Sequence, residues 1–130
     1  MNRTRDEAPL RVSVIIVSWN AAPVLGRCLE SLVGQRVTGG FETIVINNAS
    51  TDHTVEVLRE HADEVRVLTN DHNAGFSVGN NQGAKAARGR TLFFLNSDTE
   101  LRAAVFHELG GFWPTLYSEE QGGACTSTRR

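Results

Sequence analysis

Cysteine is scarce, neither charge sign prevails and no long apolar run occurs, and each shortage removes a class of protein. Two cysteines, Cys28 and Cys125, are too few for a disulfide framework or a metal cluster. A reducing, cytoplasmic compartment follows as the expectation. Thirteen basic against fifteen acidic residues leave a net charge of −2, which supplies no positive field for nucleic acid or an anionic membrane. The longest apolar run, Val12 to Val17 broken by Ser13, is far short of a transmembrane segment. Residues 1–9 are polar and charged and lack the apolar region of a secretory signal, so residues 1–10 read as a flexible leader. No internal repeat or low-complexity segment is visible.

What the chain does have is 130 residues, the size of one domain, and 40% hydrophobic residues, enough for a core and against global disorder. Val12 to Ser18 is β-branched and nearly continuously apolar, as a strand buried on both faces should be. Leu25, Cys28, Leu29 and Leu32 then recur at helical spacing, with Pro23 in the first turn and Gly34 as the stop. On that face Cys28 reads as a small buried hydrophobe. Glu42 to Ile46 is a second strand. Thr51 or Asp52 caps a helix whose inner face is Val55, Leu58 and Ala62. Val65 to Leu68 is a short third strand. A helix over residues 76–88 carries Gly79, Gly83 and Ala87, a stripe of small residues that allows close packing on a sheet. Thr91 to Leu95 is the fourth strand, and Ala103 to Leu109 suits a short helix. Alternating strands and helices predict an α/β fold with a parallel sheet flanked by helices and right-handed crossovers. Residues 121–130 show no periodicity and are read as disordered.

The chemistry concentrates at strand ends. Leu92-Phe93-Phe94-Leu95 breaks into Asn96-Ser97-Asp98-Thr99-Glu100. Carboxylates at the carboxyl end of a parallel strand stand where open α/β sheets bind ligands. A hard divalent cation, Mg²⁺ or Mn²⁺, takes oxygen ligands and bridges carboxylates to phosphates. With the Asn47-Asn48 turn, the cluster points to a nucleotide-diphosphate donor. The first turn, Ser18-Trp19-Asn20-Ala21-Ala22-Pro23, has no GxGxxG, which argues against a dinucleotide-dependent enzyme. Each residue also has a plain structural account. Asp98-Thr99 could cap a following helix, Asn47-Asn48 could simply turn the chain, and Asp52 suits a helix cap better than a ligand. Trp19 and Trp113 could stack on a base or sugar, though packing is the favoured account. His53, His61, His72 and His107 lack metal-ligand spacing and receive no role.

Four motifs in order resemble the family 2 glycosyltransferases of the GT-A fold, especially the rhamnosyltransferase-like members. Residues 12–20, ending in Ser18-Trp19-Asn20, look like the family's opening strand and Asn-ended turn. Ile44-Val45-Ile46-Asn47-Asn48-Ala49-Ser50-Thr51-Asp52 is similar to the second-strand motif that contacts the base, with Asn47 where the family usually has Asp. Asn73-Ala74-Gly75-Phe76 and Gly79-Asn80-Asn81-Gln82-Gly83 resemble the third-helix entry, and Leu95-Asn96-Ser97-Asp98-Thr99 stands where the DxD-type metal and diphosphate motif lies. The resemblance covers residues 11–101, a Rossmann-like donor-binding domain.

The resemblance implies donor contacts at Ser18, Asn20, Asn47, Asn48, Ser50, Asn73, Gly75, Phe76, Asn80, Asn96, Ser97 and Asp98, with Asp98 as metal ligand. Residues 102–120 look like a remnant of the acceptor and catalytic-base segment, in which Glu119 or Glu120 is the candidate base or else solvated charge. In the family a long stretch precedes that segment, whereas here Leu101 runs straight into Arg102, as if the middle of a transferase were cut out and its end lost. The implied activity is inverting transfer of a sugar from a nucleotide-diphosphate donor to a hydroxyl on a saccharide or lipid-linked acceptor, in cell-wall or polysaccharide biosynthesis. The alternative is an inactive nucleotide-sugar-binding remnant of such an enzyme. The implied location is the cytoplasm, with the inner membrane face as a peripheral site. An open sheet edge would favour self-association.

Overall fold

The computed structural model describes residues 10–102, 105, 106 and 127–129. Its elements run β1 (Val12–Ser18), α1 (Ala22–Val33), β2 (Phe41–Asn47), α2 (Thr54–Glu60), β3 (Arg66–Thr69), α3 (Phe76–Ala86), β4 (Thr91–Phe94) and β5 (Ser127–Arg129). The sheet order is β3-β2-β1-β4-β5. The first four strands are parallel and β5 runs antiparallel to β4.

β1 is central because its side chains are apolar on both faces and both of its edges are paired. Val14, Ile16 and Val45 face α1, whose Leu25, Cys28, Leu29 and Leu32 form the buried stripe that the spacing predicts, joined by Leu58 of α2. Ile15, Ile44 and Ile46 face the other way, against Ala84, Ala86 and Ala87 at the end of α3. Two layers of helix therefore enclose one sheet, as a parallel sheet requires.

Small residues set the distance between α3 and the sheet. A Cβ on Gly83 would stand 2.5 Å from the Ile15 Cγ2, and one on Gly79 would stand 2.9 Å from both Val17 methyls. Gly89 is tighter still, because there the obstacle is backbone: a Cβ would meet Ser13 N and Val12 C at 2.5 Å. Its own N–H donates to Ser13 Oγ (2.7 Å), and that hydroxyl donates to Glu42 Oε2 (2.6 Å). The same carboxylate accepts the Arg88 N–H and pairs with Arg66, locking the amino-terminal end of the sheet.

Several details differ from the sequence-based expectation. Gly34 ends α1 in an ordinary right-handed conformation (φ −84°), so its glycine freedom is not what stops the helix. α2 ends at Glu60, which leaves Ala62 outside the helix and exposed. β3 begins one residue later than Val65, because Val65 N–H is still bonded to His61 O in the turn after α2. The segment from 121 to 130, expected to lack order, contributes Ser127–Arg129 to the sheet; their backbone occupies the hydrogen-bonding edge of β4, a need that periodicity cannot register. Of the short helix expected over 103–109, Val105 and Phe106 are helical and the other positions lie outside the described residues, as do residues 1–9 of the leader.

Replacing Gly89 by Ala should lower the unfolding free energy by about 3 kcal/mol, the upper part of the usual range for overpacking. Gly26→Ala serves as contrast, since its Cβ meets only Val57 at 3.7 Å, and helix propensity should stabilise it by up to about 1 kcal/mol. Urea unfolding of the two variants measures both; equal behaviour would contradict the packing account.

Candidate functional site

The carboxyl ends of β1, β2 and β4 open onto one cleft of about 560 Å³. It lies at the point where the connections on either side of β1 diverge, the switch point at which open α/β sheets bind ligands. Val17, Trp19, Asn20, Ala21 and Val24 line it from β1 and α1; Asn48 lines it from the end of β2. Asn73, Gly75 and Phe76 come from the entry to α3, and Asn96, Ser97 and Asp98 from the segment after β4.

The turn after β1 is built by cross-bonding to the turn after β2. Asn20 takes a left-handed backbone (φ 48°), which Asn tolerates better than most residues. Its N–H donates to Ser50 Oγ (3.0 Å), and Thr51 N–H donates back to Asn20 Oδ1 (2.7 Å). Asp52 then serves two helices. Oδ1 accepts the Thr54 N–H (2.9 Å) and hydroxyl (2.5 Å) at the start of α2, while Oδ2 accepts the Ala22 N–H (3.2 Å) at the start of α1. Ala21 N–H donates to Thr54 Oγ1 (3.1 Å). These two amides at the entry to α1 are therefore engaged within the protein, unlike the free helix N-terminus that cradles phosphate in dinucleotide-binding folds. The Thr54 hydroxyl chiefly holds the Asp52 carboxyl below its ordinary value, with backbone N–H groups adding to the effect.

Asn47 and Asn48 divide the work that their pairing suggested. Asn47 Oδ1 accepts the Ser50 N–H (3.1 Å) and closes the turn, while the left-handed residue is Ala49 (φ 61°). Buried at the end of β2, Asn47 borders a different groove, of about 400 Å³, between α2 and β3. Asn48 is a clamp. Its Nδ2 donates to Gly75 O (3.1 Å), and its Oδ1 accepts Asn70 Nδ2 (2.7 Å) and the Ala74 N–H (3.3 Å). Asn70 and Gln82 exchange a pair of amide bonds (2.8 and 2.9 Å), so the loop entering α3 is tied to β2, β3 and α3 together. Gly75 sits at φ 93°, with its N–H on Asn73 Oδ1 (3.0 Å), a conformation that glycine allows.

The structure thus brings Asn20, Asn48, Asn73, Gly75, Phe76, Asn96, Ser97 and Asp98 to one cleft. Ser18, Asn47, Ser50 and Asn80 do not line it. Ser18 is fully buried, and its hydroxyl is the one buried side-chain polar atom among the described residues without a partner. Asn80 is half-buried on α3. Glu119 and Glu120 lie outside the described residues, with His107, Trp113 and Cys125. Trp19, expected to pack in the core or on the surface, is not in the core: it is 54% exposed on the cleft wall, which Phe76, at 60%, also lines. Its position directly after a buried strand was the available signal; Val17, Ala21 and Val24 offered none. Cys28 is buried and free, and its thiol is pushed up to about 11, first by burial and then by the nearby charge of Asp98. Among the described residues no three His, Cys, Asp or Glu side chains converge as a metal site.

Because the Asp52 carboxyl is held below its ordinary value of 3.8, its contribution to stability is full above that pH and is lost as pH falls through the folded-state value. Asp52→Asn should therefore be less stable than the wild type at neutral pH, with the difference shrinking as pH drops below 3.8. Thermal unfolding across that range checks the convergence; a constant difference would place the effect elsewhere.

The model of the Glycosyl transferase family 2 matches residues 13–113. The uncharacterized glycosyltransferase YibD of Escherichia coli K12 is 37% identical over 102 residues, which cover 76% of this chain and 29% of that protein. Among solved structures, S. aureus TarS 1-349 in complex with UDP superposes with a TM-score of 0.75 at 24% identity, over 84% of this chain and 33% of that one. The mannosyltransferase PcManGT from Pyrobaculum calidifontis, in complex with GDP-Man and Mn²⁺, gives 0.64 at 24% identity, over 78% and 32%. These two likenesses establish the fold, and the chain spans about a third or less of the length of each protein compared. With the family model running from β1 past β4, this chain belongs to glycosyl transferase family 2.

Proposed function

We propose that the cleft binds the nucleoside diphosphate of an activated sugar, and that the chain is the donor-binding part of an inverting glycosyltransferase. The observation that carries this reading is the convergence of Asn20, Asn48, Asn96 and Asp98 with two exposed aromatic side chains at the switch point. Trp19 and Phe76 offer faces for a base or a sugar ring. Asn73, Asn96 and Ser97 offer donors and acceptors that suit sugar hydroxyls and phosphate oxygens. The TarS and PcManGT structures, complexes with UDP and with GDP-Man, support a nucleotide of this kind.

In the transfer, the acceptor hydroxyl loses its proton to a base and attacks the anomeric carbon from the face opposite the leaving group. The carbon–oxygen bond to the diphosphate breaks, the nucleoside diphosphate departs, and the configuration inverts. We assign the base to Glu119 or Glu120, which must come within hydrogen-bond reach of the acceptor proton. Asp98 fits a divalent cation of the Mg²⁺ or Mn²⁺ type: such ions are commonly held by one or two carboxylates, water and substrate phosphates, so a lone exposed carboxylate suffices. When bound, the cation neutralises the leaving diphosphate. The acceptor is a saccharide or lipid-linked sugar, and the location is cytoplasmic or peripheral at the inner membrane face. Among the described residues no helix is long and apolar enough to cross a membrane.

A second reading, donor binding without transfer, is favoured by one observation: Asp98 is the sole ionisable side chain on the described wall of the cleft. Titration calorimetry with UDP, dTDP and GDP, in Mn²⁺ and in EDTA, tests the shared part of both. One nucleotide should bind in Mn²⁺, and Asp98→Ala should weaken it by about tenfold or more, the value of a charge-assisted contact. In EDTA the two proteins should be alike. No binding to folded protein would refute the reading, and sugar transfer in the presence of acceptor separates turnover from binding alone. The edge expected to be open, that of the last strand β4, is covered by β5, so self-association should use the outer edge of β3, which among the described residues pairs only with β2. Sedimentation at rising concentration should then show a dimer that a proline at Val67 abolishes; a monomer throughout would remove this expectation.

A further inference from the structure

We propose that a polar stripe at the carboxyl-terminal end of α1, Ser31 with Gln35 just beyond the helix, fixes where the segment carrying Asn96 and Asp98 sits on the cleft. This makes Ser31 and Gln35 positioning residues. The claim about the cleft's ligand rests on the nucleotide reading above; the claim about the segment does not.

After β4 the chain crosses α1 without regular structure. Asn96 O accepts the Thr99 N–H (3.1 Å) within the segment and faces Cys28 Sγ of α1 (3.8 Å), and the groups at the segment's ends need partners from elsewhere. At the near end, Leu95 N–H donates to Ile15 O (2.9 Å), extending the pairing of β4 with β1. At the far end, α1 supplies the partners. Ser31 Oγ accepts the Leu101 N–H (3.0 Å) while donating to Cys28 O (2.7 Å). Gln35 is only 2% exposed and spends both ends of its amide: Nε2 donates to Arg102 O (2.8 Å) and Ser31 O (3.2 Å), and Oε1 accepts the Phe106 N–H (3.0 Å). Phe106 then closes the anchor, fully buried and packed edge-on to Phe41 at 5.2 Å and against Phe93 at 5.1 Å.

Asn96 to Glu100 is therefore a short span between two fixed points, Leu95 and Leu101. Such a span allows Asp98 few positions, and preorganised placement is what a charged contact needs to add affinity without an ordering cost. An apolar side chain at 35 would remove the Gln35 bonds to Arg102 O and Phe106 N–H, leaving on Arg102 O the longer contact from Val105 N–H (3.4 Å). A purely structural role would make Ser31 and Gln35 matter for unfolding alone. Positioning requires that they matter for the cleft in protein that is still folded.

Two variants of the full chain, Ser31→Ala and Gln35→Met, distinguish these roles; Ser31→Ala removes a single acceptor and keeps the test available should Gln35→Met fail to fold. Amide exchange by NMR, without ligand, should show the Leu101 amide and its neighbours from 96 on exchanging about tenfold faster, while β1 and β2 are unchanged. Titration with UDP should show the gain in affinity on adding Mn²⁺ reduced several-fold, with affinity in EDTA retained. Exchange unchanged at 96–101, or faster everywhere alike, overturns the proposal. So does locally faster exchange with the Mn²⁺ gain intact, which would leave the stripe a structural role only. Should UDP, dTDP and GDP all fail to bind the wild type, the nucleotide reading falls, and the exchange result alone decides whether the stripe fixes the segment.

Discussion

The double pairing of β1 governs the rest of the molecule. Seven residues pair with β2 along their whole length, four pair with β4 on the other edge, and six of the seven are buried. A strand enclosed in this way needs helices on both faces, and the two faces demand different things. On one, ordinary aliphatic packing by α1 is sufficient. On the other, Gly79 and Gly83 bring the α3 backbone down onto Val17 and Ile15, so the start of α3 arrives beside the end of β1. The cleft is the space between these two arrivals, and Phe76, at the start of α3, stands on it.

What holds the rim is hydrogen bonding between loops. Asp52 joins the starts of α1 and α2, Asn48 joins β2 to the entry of α3, and the Asn70–Gln82 pair ties that entry to β3. Each contact spans a turn that has no regular partners of its own. Side-chain amides suit this task because one group can both donate and accept. The departure at Asn47, from the Asp usual in the resembling motif, is accommodated at the atom that matters for the turn: an oxygen accepts the Ser50 N–H in either case.

The chain's own pattern made the frame legible. β1 has the boundaries that its apolar run implies, and the buried face of α1 is the one that spacing selects. The small-residue stripe of α3 also does what its spacing suggests. Local patterns carried these features because each depends on residues within a few positions. The roles of Asn48, Asp52 and Gln35 were not legible in the same way, since their distant partners stand 22 to 71 positions away. The sequence predicts Asp52 as a cap of α2; the cap position is His53, and Asp52 instead accepts the first helical amide, of Thr54, from one residue earlier, yet nothing local reveals that it also serves α1. β5 is the extreme case: its three residues carry no periodic signal and are ordered by an edge that another strand presents.

The amide-rich lining of the cleft has a consequence for the conditions under which it works. Asn20, Asn48, Asn73 and Asn96 hold no proton that comes or goes near neutrality, and none of the described histidines lies on the wall. The arrangement of donors and acceptors presented to a ligand is accordingly the same in mildly acidic and mildly alkaline surroundings. Sensitivity to acidity would then enter through a ligand's own phosphates, while this amide surface keeps its hydrogen-bonding pattern across the range in which cells live.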